Sequence, residues 1–373
     1  MKRILSIVIL ARLPFILNGQ IIADHTVVDK YDDIPQYYID QVKKMMLVVA
    51  GESHSLGYMN GLVRLGSINP AYAVNYTYQG TPESYTSSHL RATRATWGDV
   101  NNTTGWMYSY GEEDWYKTSG AVTQTRAGIT YCRDNNLEMS AFGFGWCYDG
   151  AETNMTDYLS ATQSYIDHCR TNGYNTKVFF TTHAIDDWNA RADETSYLKS
   201  LANIAIRDYV ASGSDRILFD YADILCYDEG SEVPNTISWN GHTYPVITVA
   251  NDIPDDLGHI SATGQLRLAK AMWWMLARIA GWNGIRYTGI NESSGDEFPG
   301  VLFKKQGNEI KITLHDADIF TTVYLYNLQG ILVLRKAVGS DIISIDLSPF
   351  AQGLYFVALA GVKKRYVKRI VLF

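Results

Sequence analysis

Met45-Met46-Leu47-Val48-Val49-Ala50-Gly51-Glu52-Ser53-His54-Ser55 opens with six apolar residues that run into a glycine, an acid and a serine. A short apolar run closed by glycine fits a strand buried on both faces, the state of strands in a parallel sheet. Similar runs recur at 71–78, 139–144, 177–182 and 216–219. Between and after them, 156–172, 194–212 and 261–279 space their apolar residues as helices do. Strands alternating with helices predict a parallel sheet with helices on both faces, an α/β fold over residues 40–285. The interval 89–131 is polar, aromatic and rich in Gly and Asn, and reads as partly helical, with long insertions over a site at the sheet edge.

The composition agrees with a folded domain. Hydrophobic residues make up 46% of the 373 and charged residues 19%, which excludes collagen, coiled coil and extended disorder. A net charge of −7 argues against nucleic acid, whose phosphates need clustered Lys and Arg. No Gly-rich phosphate loop precedes a helix. His54, His89, His168, His183 and His242 have no metal-ligand spacing, so neither cofactor nor metal is expected.

At the N-terminus, Lys2-Arg3 followed by Ile4-Leu5-Ser6-Ile7-Val8-Ile9-Leu10 has the charge and apolar run of a secretory signal, placed at 1–19. A buried N-terminal strand is the alternative. No later segment offers 18 apolar residues without charge, so a membrane-spanning protein is not expected. Cys132, Cys147, Cys169 and Cys226 would permit two disulfides outside the cytoplasm, with pairing open.

Residues 286–300 carry turn formers and few large apolar side chains, the chemistry of a linker. Beyond it, short alternating segments at 309–314, 321–327, 331–337, 341–346, 353–359 and 366–372 predict a small all-β sandwich over 301–373. Tyr324-Leu325-Tyr326-Asn327-Leu328-Gln329-Gly330, Ile345-Asp346-Leu347-Ser348, Gly353-Leu354-Tyr355-Phe356-Val357 and Lys368-Arg369-Ile370-Val371-Leu372 follow in order. This tail resembles the C-terminal sorting domain of the type IX secretion system of Bacteroidota. The resemblance implies passage through the periplasm to a secreted or cell-surface location, with the secretion machinery as partner. An accessory carbohydrate-binding or immunoglobulin-like sandwich is the alternative, although the segment has no Trp to stack on sugar.

Ser53 lies just past the carboxyl end of the first long strand, where open α/β sheets bind ligands. By itself it reads equally as a cap on the next helix. Asp255-Asp256-Leu257-Gly258-His259-Ile260-Ser261-Ala262-Thr263-Gly264 supplies its complement, leading into the helix at 265–279. An Asp three residues before a His can hold the imidazole by Nδ1–H, leaving Nε2 to take a proton from a serine hydroxyl. A lone His there would read as a surface-loop residue. Paired with Asp256, His259 completes a Ser53, Asp256, His259 triad.

Here the central region resembles the SGNH, or GDSL-like, serine hydrolases. Gly51-Glu52-Ser53 stands for their Gly-Asp-Ser block and Asp256-Leu257-Gly258-His259 for their Asp-x-x-His block, with Ser261 and Gly264 trailing. The resemblance implies a flavodoxin-like three-layer parallel sheet and a Ser-His-Asp esterase. Val74-Asn75-Tyr76-Thr77-Tyr78-Gln79-Gly80-Thr81 is similar to the block whose glycine amide joins the oxyanion hole, which assigns Gly80 beside the Ser53 amide. The family's Gly-x-Asn-Asp block is replaced by Gly143-Phe144-Gly145-Trp146-Cys147-Tyr148-Asp149, with no Asn to complete the hole. One missing donor costs about 10²–10³ in rate. The Trp146 indole N–H or a backbone amide is expected to substitute; core packing is the other reading of Trp146.

Trp97, Trp106, Trp115, Trp146 and Trp188 fall in segments after strands, interleaved with polar residues as in Gly111-Glu112-Glu113-Asp114-Trp115-Tyr116. Aromatic faces among polar groups suit a glycan or acylated carbohydrate better than a lipid. They also suit packing within a large insertion. The combined expectation is an exported esterase that removes acetyl or related acyl groups from a glycan. Its rival is a non-catalytic or weakly catalytic glycan-binding protein on the same scaffold.

Overall fold

The computed structural model describes residues 19–51, 53–146, 154–183, 192–253, 259–284, 301–314, 320–328, 330–361 and 365–372. It divides into two compact units, Met1–Arg286 and Tyr287–Phe373.

In the first unit β1 (Ile22–Ala23) leads through a 3-10 segment (His25–Asp33) to α1 (Gln36–Val42), β2 (Met46–Ala50) and α2 (Ser53–Ile68). There follow β3 (Val74–Thr77), β4 (Leu90–Thr93), the small ribbon β5 (Thr96–Trp97) and β6 (Trp106–Met107), α3 (Glu112–Trp115) and α4 (Ser119–Asp134). Then come β7 (Ala141–Phe144), α5 (Thr156–Thr171), β8 (Lys177–Thr181), α6 (Glu194–Ala211), β9 (Ile217–Phe219) and α7 (Tyr221–Leu225). A hairpin of β10 (Thr236–Trp239) and β11 (His242–Pro245) precedes α8 (Ala262–Ile279). Seven strands form one sheet in the order β1-β9-β8-β7-β2-β4-β3, every pair parallel.

The period of two in β2 explains the layers. Leu47 and Val49 point into a core shared with Tyr58, Met59 and Leu62 of α2 and Leu268 and Met272 of α8. Met46, Val48 and Ala50 point into the opposite core, shared with Ile129 of α4, Tyr158 and Tyr165 of α5 and Ile206 of α6. All five residues of β2 are buried, which is why the run carries no polar residue. The expected α/β sheet with helices on both faces is the observed architecture.

Two details differ from the sequence reading. Residues 71–78, expected as a buried strand, contain β3, which lies at the sheet edge and is largely half-exposed. Between it and β2 stands β4, inside the interval expected to be helix and insertion. Leu90-Arg91-Ala92-Thr93 is buried throughout although it includes an arginine, because Arg91 Nη2 donates to Lys44 O at 3.1 Å.

The second unit holds two antiparallel sheets. One has the order β12 (Val301–Gln306), β13 (Glu309–Leu314), β16 (Ile342–Asp346); the other runs β15 (Leu332–Ala337), β14 (Thr322–Asn327), β17 (Gly353–Ala360), β18 (Arg365–Leu372). Ile310, Ile312 and Ile343 of the first sheet share an apolar core with Val323, Leu325 and Val357 of the second. The six expected strands are present within a residue or so of their ends, and β12 is an addition. The expected signal at 1–19 and linker at 286–300 lie outside the described residues, apart from Gly19.

Candidate active site

Ser53 is the first residue of α2, and glycines set its position. Gly51 has φ of +140°, a conformation that L side chains rarely adopt, and an added Cβ would lie 3.1–3.3 Å from the Gly145 backbone. The Gly145 amide donates to Ala50 O at 2.6 Å. A Cβ on Gly145 would in turn sit 2.6 Å from the Ser55 Cβ. Two bare backbones therefore let the first turn of α2 rest on the carboxyl end of β7.

His259 reaches the same place through α8. Ser261 caps that helix, accepting from Gly264 N at 3.2 Å, while its own hydroxyl donates to Ala250 O at 2.6 Å. Ile253 N donates to His259 O at 3.0 Å and Ser261 N to Asn251 O at 2.8 Å, closing a short antiparallel clamp around His259. Asn251 anchors the clamp, its Nδ2 donating to Leu225 O and Tyr227 O at 2.9 and 3.0 Å. Gly264 is required there: its Cβ would lie 2.5 Å from Asn251 O. Two glycines of α2 lie against this segment, Gly57 against Ile260 just before the helix and Gly61 against Gln265 within it.

Ser53 and His259 consequently line one cavity of about 190 Å³, together with His54, Asn60, Tyr221 and Ile260. Tyr221 follows β9, and its ring meets His54 edge-on at 5.7 Å between centroids. Asp256 lies outside the described residues. His54, Asn60 and Tyr221 escaped the sequence reading as site residues; Asn60, seven residues after Ser53, shares its face of α2, which helical spacing could have revealed.

Neither of the other oxyanion candidates lines this cavity among the described residues. The Trp146 expectation needs correction. Its ring is buried against Tyr116, Phe144, Tyr158 and His183, and its indole N–H donates to Thr181 O at 3.3 Å. The donor hydrogen is spent inside the core. Trp146 also takes φ of +51°, unusual for a non-glycine residue, where the chain leaves β7. Gly80 follows the edge strand β3, one strand farther from β2 than β4, and its carbonyl accepts from the Tyr108 hydroxyl at 2.7 Å. Cys147, Tyr148 and Asp149 lie outside the described residues.

The described tryptophans of this set pack on protein rings, Trp115 and Trp146 buried and Trp97 and Trp106 half-buried. Trp115 is fully buried, with its N–H on Thr162 Oγ1 at 3.0 Å. Trp97 stacks on Tyr131 at 3.7 Å, and Trp106 meets both rings edge-on. Trp188 lies outside the described residues. The two disulfides that four cysteines would permit are not formed: Cys132, Cys169 and Cys226 are free and buried, and Cys147 lies outside the described residues. Burial pushes the Cys132 thiol up to about 12 and the Cys169 thiol to about 11, so both behave as small apolar side chains.

Beside the cavity, Asp220 accepts from Arg207 Nε and Nη2 at 2.6 and 2.8 Å and from Thr182 Oγ1 at 2.9 Å. Asp223 accepts from the His25 amide at 2.9 Å and lies 2.5 Å from His25 Nδ1. Burial, then the charge of Asp220, raises the Asp223 carboxyl above its usual range, against the His25 hydrogen bonds. Asp24, His25 and Asp223 are a group among the described residues whose ligand atoms converge within 4.8 Å, as metal ligands do. The sequence reading, which weighed other histidines, did not find it. Here His25 and Asp223 already satisfy each other, and Asp24 caps the 3-10 segment through Thr26 N.

Residues 306–372 match the family model of the secretion system C-terminal sorting domain. The tail is a type IX sorting domain, which supports export to a secreted or cell-surface location. Among the described residues no helix is long and apolar enough to cross a membrane. No curated protein matches the chain. Among solved structures, a family 3 carbohydrate esterase of Clostridium thermocellum is similar at 14% identity, covering 64% of this chain and 98% of its own, with a TM-score of 0.33. An immunoglobulin-like β-sandwich protein of Bacteroides vulgatus is similar at 14% identity over 20% of this chain and 85% of its own, with a TM-score of 0.19.

Proposed function

We propose that this protein is an exported serine esterase that removes acetyl or related acyl groups from a glycan. Its catalytic domain, residues 40–285, is a flavodoxin-like three-layer domain of the SGNH type. Ser53 Oγ bonds to the ester carbonyl carbon while His259 Nε2 takes the hydroxyl proton, which then passes to the departing sugar oxygen. Water attacks the acyl-enzyme by the same route and restores Ser53. Asp256 orients the imidazole. The Ser53 amide is one donor to the oxyanion; Gly80, which does not line the Ser53 cavity, is left out of the hole. Trp146 has no part in this hole.

The observation that carries the reading is the shared cavity of Ser53 and His259, residues from opposite ends of the domain sequence. Their spacing along the chain has no structural necessity, whereas nucleophile and base must meet in a hydrolase.

One observation favours the rival reading as a glycan-binding protein: no asparagine follows Gly143-Phe144-Gly145, and the indole in that place is committed to Thr181. Fluorophosphonate labelling separates the two, because an activated serine is phosphonylated and a binding module is not. The esterase reading expects one labelled site, Ser53, and no label in Ser53→Ala. An unlabelled wild type rejects it.

A further inference from the structure

We infer that the cavity beside Ser53 is the acyl-chain pocket, admitting straight acyl groups up to about six carbons and excluding the sugar ring; this rests on the esterase reading. Leu56 and Gly57 of α2, Ile253, Ile260 and the ring of Tyr221 all line it. Those side chains offer apolar surface for methylenes. Besides Ser53 and His259, polar atoms line it at His54, Asn60, Tyr221 and Gln265, so the exclusion of a pyranose rests on size.

The size is decisive. Pockets for drug-sized ligands measure about 300–1,000 Å³, whereas a dry cavity of about 150 Å³ takes benzene, a six-carbon body. At about 190 Å³ the Ser53 cavity belongs with the second kind. A substituted sugar ring has roughly twice the heavy atoms of benzene, so it stays outside, on the alcohol side of the ester.

Gly57 sets the depth. An added Cβ would lie 2.9 Å from Ile260 Cδ1, so a methyl group there takes up space and presses Ile260 into the cavity. Leu56, 39% exposed, forms the mouth, and truncating it relaxes the limit without touching the core.

The test compares labelling rates of the full chain with methyl, butyl and decyl fluorophosphonates, whose alkyl groups occupy the acyl position. Wild type is expected to react with methyl and butyl probes within about tenfold of each other and with decyl at least about tenfold more slowly, the scale of discrimination one excluded methylene gives. Gly57→Ala should lower the butyl-to-methyl ratio several-fold, and Leu56→Ala should raise the decyl rate. Equal rates with butyl and decyl, or ratios unmoved in both variants, overturn the pocket and leave the esterase reading intact. No labelling by any probe overturns both. Leu56→Ala alters only a partly exposed side chain, so the comparison stands even where Gly57→Ala folds poorly.

Discussion

Gly61 of α2 faces the Gln265 backbone of α8 so closely that an added Cβ would lie 2.7 Å from the Gln265 carbonyl carbon. With Gly57 one turn earlier, it lets the two helices approach until Ser53 and His259 share a cavity. The proposed catalytic geometry thus depends on residues that contribute no functional group.

Gly61→Ala tests this by sign. Helix propensity alone would make the change stabilising by about 1 kcal/mol. The clash with a backbone that cannot move independently should instead cost about 1–3 kcal/mol, read as a lower denaturation midpoint. A more stable Gly61→Ala protein would show that α2 and α8 are not in this contact.

Asp220 is 4% exposed and takes both hydrogen bonds of Arg207 and that of Thr182. Asp220→Ala leaves the guanidinium and the threonine hydroxyl without their acceptor. A loss of about 3–5 kcal/mol is expected from urea denaturation, with Asp220→Asn losing less. An unchanged midpoint would mean that the pair is loosely held in solution.

The buried thiols should resist alkylation. Iodoacetamide at pH 8 is expected to leave Cys132, Cys169 and Cys226 unmodified in the folded protein and to modify all three in denaturant, as read by peptide mass spectrometry. Because folding raises these thiols from a usual value near 8.5, their stabilising contribution is complete below that pH. It is lost as pH rises toward about 11 for Cys169 and about 12 for Cys132. Rapid native labelling would contradict their burial.

Trp146→Phe removes the hydrogen bond to Thr181 O while keeping most of the ring packing. Thermal or urea unfolding should show a loss of about 1 kcal/mol, the usual net worth of one hydrogen bond. The acylation rate should change by less than about twofold, whereas an oxyanion donor would cost about 10²-fold.

Much of this fold is legible in the sequence because burial leaves a pattern. Met46–Ala50 is apolar on both sides since both sides face cores, and α5, α6 and α8 keep helical spacing because one face of each is covered. Leu90–Thr93 was hidden because its arginine is satisfied by a backbone carbonyl, so its burial leaves no apolar run. The glycines of α2, Gly57, Gly61 and Gly66, weaken its helical signal for the same reason that they are present: another backbone or side chain occupies the space of a Cβ. Ser53 and His259 were legible as candidates, and both line one cavity. The direction of the Trp146 indole was not, since a tryptophan carries the same hydrogen into a core or into a site.

The central claim is that Ser53 and His259 act as one catalytic unit. Acetate release from a panel of acetylated polysaccharides by wild type, Ser53→Ala, His259→Ala and the double variant tests it most directly. The account predicts that each single substitution lowers the rate by several orders of magnitude and that the double variant is little worse than either, because residues working together are lost together. Losses that multiply in the double variant, or single variants that keep wild-type rates, would contradict it.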